Sequence, residues 1–251
     1  LHNMEKHRQI CLCVPVKAKS PDVRTETAFL SEHKISCTDS NKEHYQHRFA
    51  DVSDSDGSGI AMLNDGVYAC QQVGSEYRLI LSRSSVHARG GRGPLSEELE
   101  HPFMDQGTWD YRIRMIGHES GVSNGRLFAE ADVLHMPPEY LGDSNHPGGK
   151  WQRTGGLLEA EAENAAVSCV KQGLECPDEL VIRAFETEGI GGSVRIRCQG
   201  KSWKTSLGPY QIKTAKLTEK GFVECDMLER PITERKTEQK ERPEERKTEA
   251  E

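Results

Sequence analysis

His47 to Asp54 (HRFADVSD), Gly57-Ser58-Gly59 and Ile60 to Asn64 (IAMLN) read in succession as strand, turn and strand. β-Branched, aromatic and apolar residues sit on both sides of a polar, glycine-bearing break, and such a break turns a chain rather than continuing a helix. Tyr77 to Ser82 (YRLILS) continues the rhythm. Upstream, residues 7–17 and 23–36 look extended on either side of Ser20-Pro21-Asp22, which predicts a hairpin in the same sheet system. Downstream, Thr108 to Ile116 (TWDYRIRMI) alternates, with Trp109, Tyr111, Ile113 and Met115 on one side and Asp110, Arg112 and Arg114 on the other. That period of two predicts a half-buried strand.

Two stretches interrupt this pattern. Ser84 to Pro102 contains RGGRGPLSEELEHP, a loop longer than simple connections need, and long loops are disproportionately functional. Residues 121–141 fit either a short helix or an irregular crossover, which Pro137-Pro138 ends in either case. Gly142 to Lys150 (GDSNHPGGK) is rich in breakers and marks a boundary. Beyond it, LLEAEAENAAVSCVKQ has a composition that favours helix, with β as the open alternative. Leu180 to Glu186, Ser193 to Arg197, Tyr210 to Leu217 and Gly221 to Leu228 then follow at short intervals with glycine turns, as in a β-sandwich. Past Leu228 apolar residues all but vanish, and ERKTE occurs at Glu234 to Glu238 and again at Glu245 to Glu249. Such a segment cannot bury a core and is expected to be disordered. The expected architecture is all-β, with a sandwich region over 1–150, a smaller β-sandwich unit over 151–229 and a charged tail over 230–251.

With 251 residues and 35% hydrophobic content, the chain can bury one large or two small cores. Its 23 glycines, 11 prolines and mean hydropathy of -0.70 suit many short strands and turns. A net charge of -7 argues against a broad basic surface, so neither nucleic acid nor an anionic membrane is an expected partner. No run of about 18 apolar residues occurs, and the first residues lack the apolar centre of a signal peptide. Leu1 is not an initiator and Cys11 to Val16 already reads as a strand in mid-course, so a fragment is expected. The eight cysteines include no CxxC pair, which removes zinc-ribbon and thioredoxin readings. Buried, reduced thiols and a cytoplasmic location are expected, with a disulfide open for Cys169 and Cys176.

Several local signals invite a function. Asp54-Ser55-Asp56-Gly57-Ser58-Gly59 mimics the opening of an EF-hand loop, with Asp65 where the last ligand would stand. Ile60 falls one place early, Asp65 replaces the bidentate glutamate, and the flanks are strands, so a polar β-turn is the better reading. His44 and His47 form an HxxH pair without a third ligand at a recognised spacing. Arg89-Gly90-Gly91-Arg92-Gly93 resembles an RGG element, but it occurs once in an acidic chain and reads better as a loop. Trp109, Trp151 and Trp203 could stack on sugar rings; core packing is the stronger expectation for Trp109. No GxSxG, HExxH, phosphate loop or dinucleotide fingerprint is present.

Phe49 to Tyr68 (FADVSDSDGSGIAMLNDGVY) resembles the WADLS…GVALLNDCKYGY segment of glycoside hydrolase family 38, the α-mannosidases. Later segments agree in order: Tyr77 to Ser84 (YRLILSRS) with LRLSLLRSP, Met104 to His118 (MDQGTWDYRIRMIGH) with ADQGEHEFTYALYPH, and Leu180 to Gly189 (LVIRAFETEG) with LILRLYETEG. Tyr210 to Thr214 (YQIKT) and Asp226 to Glu229 (DMLE) are similar to the closing PYEIKT and DLLE elements. The chain departs from the pattern at Thr108 and Trp109, which replace the glutamate and histidine of DQGEH, and at Ser85, which replaces a proline.

The resemblance implies the β-sandwich region behind a catalytic domain. In the family an N-terminal α/β barrel holds a zinc ion and an aspartate nucleophile in a retaining, two-carboxylate mechanism. None of the quoted segments belongs to that barrel. The implied role is to support hydrolysis of α-mannosidic linkages, with the catalytic domain and carbohydrate as partners, no cofactor or catalytic residue in this chain, and no turnover by it alone. The loop from Arg83 through His87, Arg89 and Arg92 is the candidate substrate-cleft element, since arginine and histidine donate hydrogen bonds to hydroxyls; the bland alternative is a solvated loop, or one packed on the barrel. Two other readings stand beside this one: a free-standing carbohydrate-binding module, and a calcium-dependent β-domain using Asp54 and Asp56.

Overall fold

The structure, a computed structural model, describes residues 1–34, 42–86, 100–142, 148 and 154–232. The chain divides into two compact units, Leu1–Gly142 and Asp143–Glu251. The first holds β1 (His2–Asn3), β2 (Gln9–Pro15), β3 (Asp22–Thr27), β4 (Leu30–Lys34), β5 (His44–Tyr45), β6 (Phe49–Ser53), β7 (Gly59–Asn64), β8 (Ala69–Val73), β9 (Glu76–Arg83), β10 (Gly107–Thr108), β11 (Ile113–His118) and helix α1 (Asn124–His135). The second holds β12 (Leu158–Glu163), β13 (Ala165–Gln172), β14 (Leu180–Glu186), β15 (Gly192–Cys198), β16 (Lys201–Leu207), β17 (Ile212–Thr218) and β18 (Gly221–Cys225). Apart from α1 the regular structure is almost wholly antiparallel strand, an all-β sandwich fold.

In the first unit a five-stranded sheet runs β11-β7-β6-β3-β4 and a four-stranded sheet runs β2-β9-β8-β5. The strand-turn-strand stretch that opened the sequence reading is the β6–β7 hairpin, in register from Phe49 opposite Leu63 to Ser53 opposite Gly59. Alternation places Ala50, Val52 and Met62 toward the second sheet, where they form one core with Tyr77, Leu79, Val67 and Cys70. The opposite face carries Phe49, which meets Phe128 of α1 edge-to-face with ring centroids 5.3 Å apart. Both faces of β6 and β7 are therefore covered, which is why their burial is nearly continuous rather than alternating.

Helix α1 settles the alternative left open for residues 121–141. Ser123 caps it by accepting the N–H of Arg126, and its buried Leu127, Phe128, Ala131 and Leu134 recur at helical spacing. Arg48, beside β6, pairs with Glu26 at 2.6 Å and with Asp132 of the helix. That bridge fixes the helix on the sheet.

In the second unit a three-stranded sheet, β12-β15-β16, faces a four-stranded one, β13-β14-β17-β18. Ile182, Ala184, Val194, Ile196, Trp203 and Leu207 fill the space between them. The ambiguous LLEAEAENAAVSCVKQ stretch is two strands that change sheet at Asn164, whose φ is 50°. Cross-strand charge explains why glutamates tolerate β12: Glu161 lies 2.9 Å from Arg197 and 3.2 Å from Arg195 on β15.

Three sequence expectations are corrected. Residues 7–17 and 23–36 do not pair as a hairpin. β2 joins β9 in one sheet, and the chain after Asp22 folds back at Phe29 (φ 63°) so that β3 pairs with β4 and β6 in the other. The Ser20-Pro21-Asp22 signal thus marks a crossover between sheets. Second, 108–116 is not one strand: β10 ends at Thr108, where the chain pairs with β1, and β11 begins at Ile113 on β7. Third, Trp109 is not core but 44% exposed. Met115 shares the face of Met62, yet on the terminal strand of the sheet it stays 54% exposed. The seven described cysteines, Cys169 and Cys176 among them, are free thiols. Among the described residues no helix is long and apolar enough to cross a membrane. The ERKTE tail lies outside the described residues.

Candidate functional site

Of the four residues singled out in the cleft loop, Arg83 is described; His87, Arg89 and Arg92 lie outside the described residues. The loop leaves and returns at a closed neck. Val86 bridges Phe103, and the N–H of Met104 donates to the carbonyl of Ser85 at 2.9 Å.

Arg83 is the last residue of β9, and the neck holds it firmly. Its N–H donates to Asp105 Oδ2 at 2.8 Å, and its guanidinium donates to Gln9 Oε1 at 3.1 Å and pairs with Glu43. Asp105 adopts a left-handed conformation (φ 54°), which an aspartate tolerates better than most residues. The buried Asn3 fixes it there, with Nδ2 within 2.7 Å of the Asp105 carbonyl, 2.7 Å of Ser82 Oγ and 2.8 Å of Ser84 Oγ. Residues distant in sequence thus build one polar cluster behind Arg83.

Two shallow hollows flank the arginine. One, about 230 Å³, is lined by Glu43, Tyr68, Arg83 and Asp105; the other, about 280 Å³, by His7, Gln9, Arg83 and Ser85. Tyr68 is 63% exposed, so an aromatic face lies beside planar donors and acceptors. Glu43 and Asp105 face Arg83 in the first hollow, and Arg8 joins Arg83 in the second. Such a surface suits hydroxyl-rich neutral rings, which offer apolar faces to stack and hydroxyls to share, better than it suits phosphates. Glu43, Tyr68, Gln9 and Asp105 were not singled out from the sequence, because no spacing links them; only their fold neighbours do.

The remaining motifs resolve locally. Asp54 Oδ1 accepts the N–H groups of Ser55 and Ser20, its Oδ2 accepts that of Lys19, and Asp56 Oδ1 accepts from Ser58. The two carboxylates fasten the turn, and these backbone bonds hold Asp54 below the usual carboxylate range. A groove of about 740 Å³ runs beside this turn, lined by Val16, Lys17, Lys19, Ser55 and Asp56. His44 lies on β5; burial, then Lys34 and Lys42, lower its basicity, and among the described residues its Nε2 has no hydrogen-bond partner. Among the described residues no three His, Cys, Asp or Glu side chains converge on a point that could hold a metal ion. Trp203 packs in the second core, stacked on Phe222, and Trp151 lies outside the described residues.

Scanned against protein-family models and compared with curated proteins, the chain matches none of them.

Proposed function

We propose that this chain is the non-catalytic β-sandwich portion of an α-mannosidase-type glycoside hydrolase, supporting hydrolysis by a zinc-bearing barrel domain and contacting mannoside near Arg83. A cytoplasmic setting, with the cysteines as thiols, is part of the reading. The observation that carries it is how the resembling segments meet. Asp51, from the FADVS segment, bonds His118 at the end of the MDQG segment at 2.8 Å. Arg83, from YRLILSRS, donates its N–H to Asp105 of MDQG. Glu186, from LVIRAFETEG, accepts the N–H of Tyr210 in YQIKT at 2.8 Å. Five of the six resembling segments thus meet another of them through a hydrogen bond, which supports reading them as parts of one folded arrangement.

Hydrolysis of a chromogenic α-mannoside tests the reading. The purified chain is assayed alone, and together with a separately expressed family 38 barrel domain supplied with zinc. No turnover by the chain alone, and a rate above that of the barrel when the two are mixed, is the expected result. Turnover by the chain alone, or a mixture no faster than the barrel, would overturn it.

A further inference from the structure

Helix α1 ends at His135, and residues 136–142 that follow are exposed throughout and belong to no helix or strand. Their sequence is Met-Pro-Pro-Glu-Tyr-Leu-Gly. Tyr140 is 92% exposed, more than any other large hydrophobic residue among those described, and Leu141 is 88% exposed. Elsewhere in the same unit Phe49 and Tyr77 are fully buried, and the exposed Tyr45, Tyr68 and Trp109 reach only 59%, 63% and 44%.

The local chain is shaped for recognition. Consecutive prolines fix φ near about -65° and remove two N–H groups, so Pro137 and Pro138 can extend neither the helix nor a sheet. A residue before proline is driven out of the helical region, and Met136 indeed has φ -120° and ψ 69°. Such a segment favours the polyproline II conformation, in which residues three apart lie on one edge. In that conformation Pro137 and Tyr140 would share an edge. Grooves that read polyproline II helices are lined with aromatic rings, and they gain from a ligand that loses little entropy on binding.

Spacing separates the readers of such helices. An SH3-type groove takes two prolines three apart, but positions 134 and 140 around Pro137 are leucine and tyrosine, and positions 135 and 141 around Pro138 are histidine and leucine, so neither proline has its partner. A WW-type groove takes the proline pair and adds a pocket for a following tyrosine.

We propose that Pro137-Pro138-Glu139-Tyr140 is a docking motif for a WW-type domain on another protein. The inference does not rest on the glycosidase reading. The test titrates the full chain into an isotope-labelled WW domain of the class that binds Pro-Pro-x-Tyr peptides and follows its amide spectrum, with an SH3 domain as control. Saturable shifts at the aromatic groove are expected, weakened at least tenfold by Tyr140→Ala and by Pro138→Ala, with no response from the SH3 domain. Because Tyr140 is so exposed, the melting temperature of the Tyr140→Ala chain should match that of the parent, separating lost docking from lost folding. No saturable shift, undiminished binding by Tyr140→Ala, or equal binding to the SH3 domain would overturn the proposal.

Discussion

Glu186 and Tyr210 are joined by a hydrogen bond of 2.8 Å from the Tyr210 N–H to a fully buried carboxylate. The same carboxylate accepts the N–H groups of Glu188 at 2.9 Å, Gly189 at 2.8 Å and Ile190 at 3.4 Å. One side chain at the end of β14 thus organises both its own turn and the approach to β17. The turn admits no bulk: Gly189 has φ 77°, and a Cβ there would lie 2.3 Å from the Tyr210 hydroxyl.

A first prediction follows from that carboxylate. Burial opposes its charge, but the four backbone N–H groups outweigh burial and hold its pKa below the usual 4.5. A lowered folded pKa gives stability that is fully present above the unfolded value and is lost as pH falls through the folded one. Glu186→Gln turns an N–H donor toward other donors and should cost about 2 to 3 kcal/mol at neutral pH. Urea unfolding at pH 7 and at pH 3 checks this. The gap between variant and parent should narrow at the lower pH, and an equal gap at both would show that the carboxylate's charge is irrelevant.

The β class and most strands were legible because short runs rich in apolar and β-branched residues stand between polar, glycine-bearing turns. The β6–β7 hairpin is the clearest case, its polar turn standing between apolar runs. What was not legible is pairing. Ser20-Pro21-Asp22 signals a reversal but not the partner, and the chain there crosses to another sheet because β2 is claimed by β9. β16 escaped notice since Lys201–Leu207 alternates lysine and serine with Trp203, Thr205 and Leu207, a weaker apolar signal than its neighbours carry. At the candidate site Arg83 was singled out from the sequence, while Asn3, Glu43, Tyr68 and Asp105 were not. They gather only through long-range bonds, and no local pattern encodes those.

Asp51 supports a second prediction. It is buried, bonded to His118 Nε2 at 2.8 Å and to Arg24 at 2.9 Å, while His118 Nδ1 lies 3.0 Å from the Gly57 carbonyl. Removing the carboxylate takes an acceptor from the part-buried Arg24 guanidinium, which keeps the Val122 carbonyl at 2.7 Å, and from the buried His118 ring. Asp51→Ala should cost about 3 to 5 kcal/mol. A double-mutant cycle with His118→Ala, read by chemical denaturation, should give a coupling of at least about 1 kcal/mol; additive effects would mean that the pair is not energetically linked.

Gly59 stands behind that pair and gives a third prediction. A Cβ there would lie 2.3 Å from the Val52 carbonyl, 2.8 Å from Ser53 Cα and 2.9 Å from His118 Cε1. Two of these neighbours are backbone and cannot swing away, so the β6–β7 hairpin must open. Gly59→Ala should lower stability by about 3 kcal/mol, whereas Gly74→Ala, at a turn with no neighbour within 4 Å, should be disturbed only by its φ of 57°. Melting curves of the two variants side by side decide whether the clash at Gly59 is real.

The cysteines should sort by burial. Cys70 is 1% exposed and burial pushes its thiol up to about 11; Cys198 and Cys225 are also buried, and burial raises both. Thiolate is the reactive form, so burial and a raised pKa act together against alkylation. Under native conditions at pH 8, exposed Cys176 should label with iodoacetamide well before these three, and denaturant should abolish the difference. Peptide mass spectrometry reads the order directly, and early labelling of Cys70 would contradict the first core.

The last prediction separates binding from folding at Arg83. Its side chain is 48% exposed and its bridge to Glu43 crosses the protein surface, where such pairs contribute about 0 to 1 kcal/mol. Tyr68 is likewise exposed, and neither side chain belongs to the first core. Arg83→Ala and Tyr68→Ala should therefore leave the melting temperature within a few degrees of the parent. If the two hollows take mannoside, each variant should lose mannan retention in affinity electrophoresis, because one removes the bidentate donor and the other the stacking face. The Arg83 backbone N–H, not its side chain, holds Asp105, so the neck persists in both variants. Retention unchanged in both would remove carbohydrate from this surface and leave Arg83 as a fastening of the loop neck alone.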